Sequence, residues 1–262
     1  MKLTTTIASL AIGLASIIPL SAVAADQTIN VGSTPTGMPF TYLDPATNTI
    51  QGIMVDLIDA IGKDVGFTPK INAITFASLI SSLQTKRIDI ISAAMVKTPE
   101  RAKIVSFSDP LLAYGEGLVV RDEDQKQYTA FKDMQGMTIG IQLGTAYVAP
   151  AEKSGAFKEI KQYDSSANML KDLQNKRVDA VLLDYPIAKK TLAQPSFSGM
   201  HLVESYKPVI VRNVGLVVRK DDQKRLDTLN QSIKKLQDNG TIRKILEKWG
   251  LDPDIKVVAD PS

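Results

Sequence analysis

Short apolar runs of strand length alternate along the chain with segments whose apolar residues recur every three to four positions. Residues 29–33 read as a first strand, followed by a Pro- and Gly-containing loop over 34–39. Val55, Ile58, Ile61 and Val65 share one side of a helix. A second strand over 70–74 precedes a second helical face made of Phe76, Leu79, Ile80 and Leu83. Residues 88–92 form an apolar run suited to a parallel strand buried on both faces. The alternation predicts an α/β fold with mainly parallel sheets.

Two internal echoes sharpen that picture. Residues 83–89 (LQTKRID) match residues 173–179 (LQNKRVD), and each leads from a helical pattern into a buried strand. They predict equivalent helix-turn-strand units in two lobes, with Asp89 and Asp179 as turn residues. Residues 117–121 (GLVVR) match residues 215–219 (GLVVR), one on each side of a self-contained α/β segment. This predicts a chain that crosses to a second lobe and returns. Lobe 1 is expected to comprise residues 26–117 and 215–262, and lobe 2 residues 118–214, with two hinge strands that permit bending. Ligands of open α/β sheets bind beyond the carboxyl ends of the strands, so the interlobe cleft is the expected site.

The N-terminus is read separately. Lys2, an apolar stretch over 7–18 and the small residues Ala22, Val23 and Ala24 predict a secretory signal peptide over 1–25, cut after residue 24 or 25. The stretch is too short to span a bilayer, and no later segment approaches the roughly 20 apolar residues a membrane helix needs. An exported, soluble protein is expected. The sequence has no cysteine, which excludes disulfides, thiolate metal sites, a cysteine nucleophile and a lipid-attachable cysteine. The single histidine, His201, is expected at the surface and argues against a His-based triad or histidine-rich metal site. The 31 basic and 28 acidic residues are interspersed, so nothing points to nucleic acid. No cofactor and no metal are expected.

Candidate chemistry sits at four places. In residues 97–101 (KTPER), Thr98 is a good N-cap, Pro99 suits the first helical position and Arg101 falls in the first turn. A guanidinium there suits bidentate capture of a carboxylate, or else forms a surface pair with Glu100 or Asp109. Gly144, Thr145 and Ala146 form a turn after a strand, expected to aim the N–H groups of Thr145 and Ala146 into the cleft. Asp184 ends an apolar strand and must pair with something: a ligand ammonium, Lys189 or Arg212. Phe76 starts a helix beside the same crevice, as a ligand contact or as core. Trp249 is expected to pack.

Taken in order, Pro39-Phe40, Gly52 with Val55-Asp56-Leu57, residues 78–89, Thr98 to Arg101, residues 107–110 (FSDP), Gly144-Thr145, Val178-Asp179-Ala180 with Asp184, and residues 238–249 resemble the polar-amino-acid family of periplasmic solute-binding proteins. The resemblance covers nearly the whole mature chain. It implies a type II periplasmic-binding-protein fold, two Rossmann-like lobes that close like a flytrap, and service as the solute-binding component of an ABC importer. It also implies a monomer that meets an inner-membrane permease and an amino-acid-like ligand. Carried over by position, Arg101 binds the ligand carboxylate with backbone N–H groups of Val96 and Thr145. Asp184 binds the amino group with the carbonyl of Ala94, and Phe76 packs against the ligand side chain. Thr34, Phe40, Gln142 and Ala146 complete the expected contacts. Four positions depart from the pattern: Val96 replaces a Ser or Thr, Gly37 a stacking aromatic, Met54 an acid, and Gln142 stands where a base can occur. Two other readings share this scaffold. One is an exported cyclohexadienyl-dehydratase-like enzyme, for which Glu116 and Asp184 are the available acids. The other is a periplasmic sensor partner.

Overall fold

The computed structural model of the chain describes residues 27–254 and 258–259; the expected signal segment lies outside the described residues. In chain order the first part comprises β1 (Gln27–Ser33), β2 (Thr36–Gly37), β3 (Thr41–Asp44), β4 (Thr49–Gln51), α1 (Ile53–Val65) and β5 (Phe67–Ala73). It continues with α2 (Leu79–Gln84), β6 (Ile90–Ile91), α3 (Pro99–Ile104) and β7 (Val105–Phe107). Ile53, Met54, Leu57, Ile58 and Ile61 bury one face of α1, and Gly66 in the left-handed region (φ 82°) ends it. β5 pairs only with β1 and so lies at a sheet edge, where Pro69 withholds no needed donor. The helix expected from Phe76 begins as a 3-10 turn (Phe76–Ser78) before α2 takes over.

The second part comprises β8 (Leu112–Arg121), β9 (Thr138–Gln142), α4 (Val148–Ser154), β10 (Glu159–Tyr163), α5 (Ser166–Gln174), β11 (Ala180–Asp184), α6 (Tyr185–Leu192) and β12 (Met200–Leu202). β13 (Val211–Val214), β14 (Val217–Arg219), α7 (Gln223–Asp238) and α8 (Thr241–Lys248) return the chain. Two main sheets result. One runs β5-β1-β6-β14-β7 and the other β10-β9-β11-β8-β12, with β13 also on β8. In both, the three strands at one end are parallel and the returning strands antiparallel.

β8 joins the two sheets. Leu112 to Gly115 pair with β13, whereas Glu116 to Val120 pair with β11. Beyond β13, β14 enters the first sheet against β6 and β7. The connection therefore consists of two antiparallel strands, placed a few residues before Gly117 and Gly215.

The two sequence echoes interlock. Lys86 and Lys176 both take φ 60°, and the N–H groups of Asp89 and Asp179 donate to Asn30 O and Thr138 O, each at 2.7 Å. Arg219, ending one GLVVR strand, donates to Ile88 O at 2.8 Å and to Asp89 Oδ1 at 3.1 Å. Arg121, ending the other, donates to Val178 O at 2.7 Å and lies 4.0 Å from Asp179. Each lobe thus ties its helix-turn-strand unit with an arginine from the neighbouring antiparallel strand. His201 is half-exposed beside Asp122, and Trp249 packs edge-on against Tyr42 while donating to Asp56 at 2.7 Å.

Candidate functional site

Arg101 is delivered by the cap predicted for it. Thr98 Oγ1 accepts the Arg101 N–H at 3.2 Å and Pro99 occupies the first turn. The guanidinium is buried, 8% exposed, which excludes the surface pairing with Glu100 or Asp109. It donates to Val96 O at 2.6 Å and, across the interlobe boundary, to Gly144 O at 2.8 Å, and it lies 5.5 Å from the centre of the Phe76 ring. Phe76 is thereby a cation–π partner of Arg101. Burial pulls the arginine pKa below its ordinary value, opposed by Tyr114, Tyr147 and Asp184.

Asp184 ends β11 and its side chain turns into the same region. Neither Lys189 nor Arg212 is its partner. Its oxygens accept from Tyr114 Oη at 3.0 Å and from Tyr147 Oη. Tyr114 comes from the connecting half of β8, and Tyr147 from the residue before α4. Desolvation pushes the Asp184 carboxyl above its ordinary range, opposed by the bonds from Tyr147 and Tyr114 and by the charge of Arg101. Both tyrosines are pushed well above their ordinary value, first by burial and then by Asp184. No ion pair joins Arg101 and Asp184 among the described residues.

Thr34, Phe40, Phe76, Gln142, Thr145 and Asp184 are brought together around one cavity of about 20 Å³. That is room for about one water. Phe40 stacks on Tyr114 (centroids 5.3 Å, interplanar angle 21°), and Thr34 Oγ1 meets Thr41 Oγ1 at 2.8 Å. Gly37 also lines the cavity. Ala94, in the left-handed region at φ 52°, presents its carbonyl to Tyr114 Oη at 2.7 Å. Val96 bridges Val214 through Lys97 N–H to Asn213 O, which leaves the Val96 N–H out of the pairing. A larger cavity of about 630 Å³ lies elsewhere, lined by Pro39, Glu116, Tyr185, Trp249 and Leu251 among others. Asp184 lines the small cavity and Arg101 adjoins it through Phe76, whereas neither borders the larger one.

Three expectations need correction. The Thr145 N–H does not face the cleft; it donates to Gln142 O at 3.2 Å inside its own turn. Ala146 packs against the core and does not line the cavity. Glu116 is not a free acid. Tyr206 Oη, Val209 N–H and Ile210 N–H all donate to it, and it pins that loop to β8. Met54, fully buried in the core, gives its carbonyl to Ser92 Oγ at 2.7 Å. Sequence reasoning missed Tyr114 and Tyr147. The usable signal was Asp184 itself, because a carboxylate at the end of an apolar strand needs hydrogen-bond donors.

The lobes touch at this site. Besides the bond from Arg101 to Gly144, Ser166 Oγ donates to Thr36 O at 2.6 Å. Gly144 has φ 79°, and a Cβ there would stand 2.9 Å from Ala77 Cα. Only glycine fits both conditions.

Comparison with known proteins places the chain in a family. Residues 29–252 match the model of the bacterial extracellular solute-binding proteins, family 3. The chain is 30% identical over 226 residues to ABC transporter arginine-binding protein 1 of Escherichia coli K12, covering 86% of this chain and 91% of that protein. It is similar to the solved structure of an ancestral arginine-binding protein bound to glutamine (30% identity, 87% of this chain and 100% of that one, TM-score 0.80). It is also similar to an ancestral amino-acid-binding protein described as a precursor of cyclohexadienyl dehydratase (28% identity, 85% and 95% covered, TM-score 0.75).

Proposed function

Because the chain belongs to the bacterial extracellular solute-binding proteins of family 3, we propose that it is the periplasmic solute-binding component of an ABC importer and captures an amino acid or amino-acid-like zwitterion between its lobes. The observation that carries this reading is the placement of Arg101 and Asp184. Two opposite charges face one cleft, a partly buried Asp184 on the wall of the cavity and a buried Arg101 beside it against Phe76, and no ion pair joins them among the described residues. A zwitterion supplies the missing partner to each. Its carboxylate takes the guanidinium fork together with the Val96 N–H, and its ammonium is held by Asp184 and the Ala94 carbonyl. Phe40 and Phe76 wall the ligand body.

The present cavity is far smaller than an amino acid, so capture requires the lobes to part and close again about β8 and β13. Lobe 1 in this reading is residues 26–117 and 215–262 and lobe 2 is 118–214; the change of sheet partner within β8 supports that division. Residues 1–25 direct export and are removed. The mature monomer then presents its loaded form to an inner-membrane permease. Binding without turnover is favoured over catalysis because Glu116 is committed to the 206–210 loop. The relatives' own names include arginine-binding and cystine-binding proteins, which supports screening amino acids first.

A thermal-shift screen of the mature protein against amino acids, opines and related amines tests the reading. A ligand at 100 times its dissociation constant stabilises the fold by about 2.7 kcal/mol. No shift with any zwitterion, or turnover of prephenate or arogenate, would contradict it.

A further inference from the structure

The walls of the cleft carry information about the ligand that the two charged anchors do not. Asp184 is the sole carboxylate among the residues that line the cavity, and no lysine or arginine lines it; Arg101 adjoins it from α3. Both charges are committed once an α-carboxylate and an α-ammonium are bound. A third charge, brought in on the ligand side chain, would be buried without a counter-ion, which is the most costly arrangement a closed site can hold. Asp164 offers no remedy from outside the cavity: it is exposed, and it faces Gln142 with its backbone carbonyl.

The remaining polar walls are neutral and have hydrogen-bonding capacity to spare. Thr34 and Thr41 bond to each other, which uses one of their two hydroxyl protons. The Gln142 amide nitrogen spends one donor on Asp164 O at a long 3.4 Å, so its second donor and its oxygen are available to a ligand. Thr34 and Gln142 are themselves buried, so a ligand that fills the closed cleft must meet their spare hydrogen-bonding groups or shut them off from water.

We propose that the bound solute is an amino acid with an uncharged, hydrogen-bonding side chain of the carboxamide or ureido kind, and that Thr34, Thr41 and Gln142 select it. This rests on the zwitterion-trap reading above. Discrimination comes from two sides. Charged side chains are refused by the absence of a counter-ion, and apolar ones by the polar groups they would leave unpaired.

Isothermal titration of the full mature protein with L-glutamine, L-citrulline, L-arginine, L-glutamate and L-leucine separates the possibilities. L-Glutamine or L-citrulline is expected to bind at least about 10-fold more tightly than the other three. In Thr34→Asp the preference is expected to move toward L-arginine by at least about 10-fold, with Gln142→Glu as a second placement of the charge if the first does not fold. Tightest binding of L-arginine, L-glutamate or L-leucine by the unmodified protein overturns the proposal and leaves the trap reading standing. Failure of every amino acid to bind overturns both.

Discussion

The hydroxyl of Tyr114 lies 3.0 Å from Asp184 Oδ2, and the same hydroxyl lies 2.7 Å from the carbonyl oxygen of Ala94. A hydroxyl has one proton and cannot donate fully to two acceptors. Tyr147 supplies the other oxygen of Asp184. One further proton placed on Asp184, donated to the Tyr114 oxygen, satisfies every atom of the group. A ligand ammonium does the same with its own N–H groups.

The first prediction concerns pH. Asp184 is faced by Tyr114 and Glu116 from β8, by Tyr147 ahead of α4 and by Arg101 from α3, and its burial raises its folded pKa above the unfolded value. The folded state therefore keeps a proton that the unfolded state has lost. Its contribution to stability is fully present below the unfolded pKa near 4 and is lost as pH rises through the folded pKa, by at most about 1.4 kcal/mol per pH unit. Glu116 and Asp59 are raised as well, so the difference between variants is the informative quantity. Urea denaturation from pH 4 to 8 without added amino acids is expected to show a flatter fall for Asp184→Asn than for the unmodified protein. Parallel curves contradict the assignment.

The second prediction concerns closure. Gly144→Ala places a methyl group 2.9 Å from Ala77 Cα and forces a side chain into φ 79°. The strain costs about 1–2 kcal/mol, and the clash falls on the line where the lobes meet. Ligand affinity is expected to drop at least about 10-fold with the fold retained. Calorimetry and circular dichroism read the two effects separately; unchanged affinity counts against Gly144 as a closing contact.

The third concerns the paired arginines. Arg219 and Arg121 each serve a turn carbonyl and the aspartate after it, so truncation leaves a buried carbonyl without its donor. Arg219→Ala and Arg121→Ala are each expected to lower stability by about 1.5–3 kcal/mol. Because they tie different sheets, the losses should add to within about 0.5 kcal/mol. A strongly non-additive double variant would mean that the two turns are not independent structural units.

What the sequence disclosed about this molecule follows from how local each signal is. Thr98, Pro99 and Glu100 place Arg101 within one helical turn, so its position could be read directly. The KRID and KRVD turns could be paired with their arginines because the same short sequences recur in both lobes. Tyr114 and Tyr147 left no such trace. They are 70 and 37 residues from Asp184, and a tyrosine among small and apolar residues looks the same whether it packs or donates. The Thr145 N–H failed for a different reason: the tight turn at Gly144 closes on Gln142 O before α4 begins, so the donor is consumed locally. The change of partner within β8, from β13 at Leu112 to Gly115 to β11 at Glu116 to Val120, could not be read from the GLVVR echo because β8 runs unbroken through both pairings.

The central claim is that Arg101 holds the carboxylate of a zwitterion, and one comparison tests it most directly. Calorimetry would set the tightest-binding amino acid against its decarboxylated amine, in the unmodified protein and in Arg101→Ala. The unmodified protein is expected to prefer the amino acid by roughly 30-fold or more, the value of one buried charge pair. In Arg101→Ala that preference should collapse to near parity while the protein remains folded. A variant that still distinguishes the amino acid from its amine by the original factor would contradict the account.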